Sequence, residues 1–132
     1  METLPERAPL ILVVDDTEDA RDMYGFGLLF EGFRVETACN GGEAVAKATR
    51  LHPDAIVMDL MMPGITGWDA TRLLKQDPRT ENIPVLALTA SQEPESRFKA
   101  WDAGVQAFLT KPCEPRVLAG EVRRLLESRP SA

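Results

Sequence analysis

The sequence predicts an α/β protein in which five parallel strands alternate with five helices, (βα)5, in one doubly wound sheet covered on both faces. Three observations predict it. Short apolar runs recur five times along the chain, the first of them unbroken by polar residues in the manner of a strand buried on both sides. Each run is followed by a longer stretch that reads as a helix. Gly, Pro, Asn and Asp punctuate the junctions.

The first strand is Leu10 to Val14, which stops at Asp15 and Asp16. Asp16 or Thr17 is placed to cap the helix that follows, with Met23, Phe26, Leu29 and Phe30 spaced to face the sheet. Gly25 and Gly27 each weaken that helix by about 1 kcal/mol relative to Ala, so packing must hold it. Gly32 suits its end. The second strand is Arg34 to Ala38; the turn Asn40-Gly41-Gly42 leads to a helix from Glu43 to about Arg50 with a narrow stripe of Ala44, Val45 and Ala48. The third strand, Ala55 to Met58, ends at Asp59, and after a loop Gly67 opens a helix that runs to about Gln76, where Asp77-Pro78 stops it. The fourth strand, Val85 to Leu88, is entered through Pro84 and ends at Thr89. A helix from about Pro94 to Ala103 closes at Gly104. The short strand Ala107 to Leu109 then leads to Lys111-Pro112 and a last helix from Pro115 to about Glu127. The tails, 1–8 and 128–132, have little to bury and are expected to be mobile around one ordered core of about 9–127.

At 132 residues the chain fits one compact domain, with no room for a second. Its net charge of −6 argues against direct contact with nucleic acid or anionic lipid, because such a surface repels phosphates. Arg116, Arg123, Arg124 and Arg129 are spaced along a helix and read as a solvated face. Cys39 and Cys113 lack metal-ligand spacing and are too few for a disulfide framework, so reduced thiols are expected. His52 has no partner for a zinc site. The start METLPERAP is unlike a secretory signal, and no apolar run approaches membrane-spanning length. A soluble protein of the cytoplasm is the expectation.

In an open parallel sheet, ligands bind beyond the carboxyl ends of the strands. Here those ends read Asp15-Asp16, Asp59, Thr89 and Lys111. Singly, each has an ordinary structural role as a cap, a strand end or a surface charge. Together they place three carboxylates, a hydroxyl and an ammonium on one rim. Crowded carboxylates repel one another and raise their pKa values unless a cation sits among them. Magnesium suits such a site because it takes few protein carboxylates, keeps waters and leaves room for phosphate oxygens. A carboxylate can also act as nucleophile and form an aspartyl phosphate. The remaining needs of phosphoryl transfer are alignment and charge neutralisation, which Lys111 and Thr89 can serve.

The stretches LILVVDD, DAIVMDLMMPGITG, PVLALTA and AGVQAFLTKP resemble the response regulator receiver family, with its CheY-like, flavodoxin-like fold, over nearly the whole chain. The resemblance implies the strand order 2-1-3-4-5, a topology already described for this fold. It implies that Asp59 is the phosphoacceptor, that Asp15, Asp16, Asp59 and the Met61 carbonyl arrange Mg2+, and that Thr89 and Lys111 contact the phosphoryl group. Phe108 falls at the aromatic switch that moves with Thr89, and Pro112 follows a peptide bond that is cis in the family. The implied role is that of a two-component signalling switch rather than a turnover enzyme, expected here as a stand-alone, single-domain type. A histidine kinase or phosphotransfer protein would be its donor. An effector protein would read the face formed by helix four, strand five and helix five.

Some positions depart from the family pattern. Thr66 stands where Asp or Asn usually precedes the loop glycine, Gln106 and Ala107 replace a frequent acidic pair, and Cys113 replaces a common Phe. The acidic pair supports a dimer in many DNA-binding members, so that dimer is not expected. Met61 and Ser91 flank the path of the hydrolytic water in the family, and neither has a long polar side chain to orient it, which predicts slow self-dephosphorylation. Trp101, on helix four, is either a core residue or, with Phe108, an anchor for a partner. Two other functions compete. A phosphohydrolase with an Asp nucleophile would want Asp-x-Asp after strand one, where Asp15-Asp16-Thr17-Glu18 stands. A module that binds partners without phosphorylation would not need the acids, Thr89 and Lys111 together.

Overall fold

The structure, a computed structural model, describes residues 8–128. Ten elements alternate: β1 (Leu10–Val14), α1 (Glu18–Phe30), β2 (Arg34–Ala38), α2 (Gly41–Leu51), β3 (Ala55–Asp59), α3 (Gly67–Gln76), β4 (Val85–Thr89), α4 (Pro94–Ala103), β5 (Ala107–Thr110) and α5 (Pro115–Glu127). The five strands form one parallel sheet in the order β2-β1-β3-β4-β5. Of the expected tails, only Ala8 and Ser128 are described: Ala8 is buried and its carbonyl accepts from Arg34 Nε at 2.7 Å, while the Ser128 N–H caps the last turn of α5. The rest of both tails, Arg129 included, lies outside the described residues.

Alternate residues of each strand point to opposite faces, so the same strands feed two cores. Leu12, Val14, Ile56, Met58, Val85 and Ala87 pack with Trp68, Leu74 and Ala100 under α2, α3 and α4. Ile11, Val13, Val57, Leu86 and Leu88 pack with Tyr24, Leu28, Leu118 and Val122 under α1 and α5.

Helix α1 is rotated from its expected phase. Met23, Phe26, Leu29 and Phe30 face outward, Phe26 and Phe30 being 66% and 91% exposed, and the helix buries Tyr24, Gly25 and Leu28 instead. Glycine sets this phase. A Cβ on Gly27 would lie 2.2 Å from the Pro115 Cβ, so the approach of α1 to α5 is closed to any larger residue. The expected cap also differs: Thr17 is the N-cap residue but its side chain makes no capping hydrogen bond, and the Thr17 N–H donates to Asp15 Oδ1 at 3.0 Å. Helix α2 begins two residues early because Asn40 caps it, its Oδ1 accepting from the Glu43 N–H at 2.8 Å. Asn40-Gly41-Gly42 is therefore a cap and first turn. His52 closes α2 in the left-handed region, with φ 49°. No described helix is long and apolar enough to cross a membrane.

Candidate functional site

β1, β3, β4 and β5 lie side by side, so their carboxyl ends bring Asp15, Asp59, Thr89 and Lys111 to one rim. Asp15, Asp59 and Thr89 are buried, and Asp16 is exposed at the mouth. One carboxylate oxygen from each of Asp15, Asp16 and Asp59 lies within 4.8 Å of the others. The Lys111 ammonium donates to Asp15 Oδ2 and stands 3.8 Å from Asp59 Oδ1. Backbone donors complete the carboxylates: the Met61 N–H reaches Asp59 Oδ1 at 3.1 Å, and the Thr17 N–H reaches Asp15.

Gly67 fixes where Asp59 sits. A Cβ there would fall 2.2 Å from the Asp59 carbonyl oxygen and 2.6 Å from Leu60 Cα, so only glycine lets the start of α3 press on the end of β3. Thr66 caps that helix, its Oγ1 accepting from the Asp69 N–H at 3.1 Å. The departure at position 66 thus retains the capping role.

The Asp59 carboxyl is pushed up to about 6. Burial is the largest cause; the Lys111 charge opposes it, the Asp15 and Asp16 charges reinforce it, and the Met61 N–H pulls it down. Crowding was the cause the sequence suggested, and burial outweighs it. Burial alone would lower the Lys111 ammonium, but its hydrogen bond to Asp15 and the charges of Asp59 and Asp15 hold it above the usual lysine value. Lys111 therefore remains a cation and serves Asp15 first, leaving Asp59 only partly neutralised. An all-oxygen cluster of hard donors carrying surplus negative charge fits a divalent ion such as Mg2+, and holds no thiolate or imidazole that would favour zinc.

The other expected residues lie around this centre. The Met61 side chain is exposed. Thr89 Oγ1 accepts from the Ser91 N–H at 3.2 Å, and Ser91 Oγ lies 2.9 Å from Ser96 Oγ. The Lys111–Pro112 peptide bond is cis. Phe108 is half-buried against the core, and the Arg97 guanidinium lies over its ring, 4.8 Å from the centroid. Trp101 is 46% exposed, which removes it from the core. It lines a groove with Gln92, Pro94, Arg97 and Phe98, so Arg97 stands between it and Phe108.

Three contacts depend on the tertiary fold and not on any local motif. The buried Tyr24 packs in the same cluster as Cys113, and burial raises both groups. The Trp68 indole N–H donates to the Ser96 carbonyl at 3.3 Å, tying α3 to α4. Gly67 was visible as a loop glycine, but its contact with Asp59 required the tertiary fold.

Residues 11–123 match the family described as the response regulator receiver domain. The chain is 36% identical over 118 residues to the DNA-binding dual master transcriptional regulator RpaA of a Synechocystis species, covering 89% of this chain and 49% of RpaA. It thus spans about half the length of that relative. It is also 36% identical to protein PilH of Pseudomonas aeruginosa, with 88% of this chain and 96% of PilH covered. Among solved structures, it is similar to the receiver domain of a Pseudomonas aeruginosa sensor histidine kinase that holds a magnesium ion in its active site cleft. The TM-score is 0.86 at 30% identity, covering 92% of this chain and 99% of that one.

Proposed function

The chain belongs to the response regulator receiver domain family, and from that premise we propose that it is a phosphorylation switch whose acceptor is Asp59. The observation that carries this reading is the Lys111 ammonium set between Asp15 and Asp59 at the rim of a buried acidic cluster.

An Asp59 oxygen attacks phosphorus as the bond to the donor breaks; with a phosphohistidine donor, the leaving imidazole takes up a proton and the phosphoryl group stays on the aspartate. Asp15, Asp16, Asp59 and the Met61 carbonyl would hold Mg2+, which when bound would supply the positive charge that lets a phosphoryl group enter an anionic site. Lys111 transfers one donor from Asp15 or toward Asp59 to a phosphoryl oxygen. The Thr89 hydroxyl donates to another, and in moving it releases the Ser91 N–H that it now accepts from. The donor is a histidine kinase or phosphotransfer protein. The reader is an effector protein on the face of α4, β5 and α5, which changes population with the positions of Thr89 and Phe108. The exposed Met61 side chain and the engaged Ser91 hydroxyl leave the hydrolytic water without a long polar guide, so the phosphoryl group is long-lived.

The test is incubation with Mg2+ and acetyl phosphate, followed by intact mass. The wild type gains one phosphoryl group and Asp59→Asn gains none. An unmodified wild type, or a modified Asp59→Asn, overturns the assignment, and sustained turnover of the phosphate donor points to a hydrolase.

A further inference from the structure

A groove of 330 Å³ runs along α4, lined by Gln92, Pro94, Arg97, Phe98 and Trp101. Phe98 is 76% exposed and Trp101 nearly half exposed, so two aromatic side chains stand in water next to an open cleft. Clustered exposed aromatics of this kind mark surfaces that gain by being covered. Arg97 is the one charged side chain lining the groove; Glu93, Glu95 and Asp102 of the same stretch do not line it.

Arg97 also lacks an anionic partner among the described residues. Nearby Arg72 pairs with Asp69 and Asp102, and Arg124 pairs with Glu121, whereas no carboxylate forms an ion pair with Arg97. Its guanidinium rests on the π face of Phe108. Stacking occupies the face of the guanidinium, so its in-plane N–H donors remain open to a carboxylate.

We propose that this groove receives an acidic, apolar-anchored segment of the effector protein, an apolar side chain entering beside Phe98 and Trp101 and a carboxylate pairing with Arg97. The inference rests on the reading of the α4 face as the effector surface and names the chemistry that face selects.

The experiment pans a random phage-displayed peptide library on wild-type protein with Mg2+ and beryllium fluoride, a stable stand-in for the phosphoryl group. Selected peptides are then titrated by fluorescence anisotropy against wild type and Arg97→Glu, each with and without beryllium fluoride. Peptides combining Asp or Glu with Leu, Ile or Phe are expected. Arg97→Glu weakens them by about tenfold or more, and reverses the preference toward peptides whose acids are replaced by Lys, while phosphoryl uptake from acetyl phosphate is unchanged. Neutral or basic selected peptides, no selected peptide, equal binding to Arg97→Glu, or self-association that fills the groove each overturn the proposal. Binding that needs Arg97 but ignores beryllium fluoride supports the groove assignment and overturns the dependence of this face on phosphorylation, while absent phosphoryl uptake overturns the switch itself, so the failures are distinct.

Discussion

The two ends of the sheet use similar polar residues for opposite ends. At the amino end, each side chain meets a backbone group that a strand start leaves unpaired: Asp54 Oδ2 accepts from the Leu10 N–H, Gln106 Oε1 from the Val85 N–H, and Lys75 Nζ donates to the Ile83 carbonyl, each at 2.7 Å. At the carboxyl end, Asp59 is buried among like charges with one shared ammonium, and its carboxyl is pushed up to about 6. The first arrangement stabilises the fold. The second costs stability and leaves surplus negative charge around a raised carboxyl, the kind of arrangement that marks candidate functional sites.

Breaking the costly end should therefore show most. Asp59 has an ordinary value of 3.8 and a folded value of about 6, so the folded state holds a proton that the unfolded state has lost between those pH values. Stability contributed by this group is greatest below pH 3.8 and falls as pH rises through 6, by up to about 3 kcal/mol. Asp59→Asn should remove that fall, leaving a protein more stable than wild type at pH 7 in urea melts, and unable to be phosphorylated. Removing the cation instead sharpens the contrast. Lys111→Met should lower stability at pH 7 by roughly 1–3 kcal/mol, because Asp15 loses its hydrogen-bond donor and Asp59 its nearby charge, and acidification should recover much of the loss. Magnesium at ten times its dissociation constant should raise wild-type stability by about 1.4 kcal/mol, and raise that of Asp59→Asn by less. At the amino end, Gln106→Ala should cost about 1 kcal/mol from the orphaned Val85 N–H while leaving phosphorylation intact; a change in phosphorylation would mean that the ends are not independent. The smallest expected effect is kinetic: Met61→Asn with Ser91→Glu should speed decay of the phosphorylated protein a few-fold, and an unchanged or slower decay would refute the proposed water path.

The acidic rim was legible because parallel strands bring their ends together, so Asp15, Asp16, Asp59, Thr89 and Lys111 could be placed from strand ends alone. Helix α1 was misread for the converse reason. Its aromatic spacing suggested burial, yet the tight contact with Pro115 selects glycine on the packed side and turns Phe26 and Phe30 outward. Apolar periodicity reports a stripe, but not which neighbour crowds it. The cause of the Asp59 shift was also hidden, since a sequence shows neighbouring charges more readily than solvent access. Arg97 over Phe108 joins two residues eleven positions apart on different elements, a contact that no local spacing encodes.

Trp68 and Trp101 give the molecule two built-in lamps. Trp68 is 8% exposed and tethered to Ser96, whose hydroxyl contacts Ser91 beside Thr89, while Trp101 stands in solvent at the groove. An indole in the interior emits at shorter wavelength than one in water, so the pair separates events at the acidic rim from events at the proposed docking groove. With Trp101→Phe the remaining colour follows the rim, and with Trp68→Phe it follows the visitor.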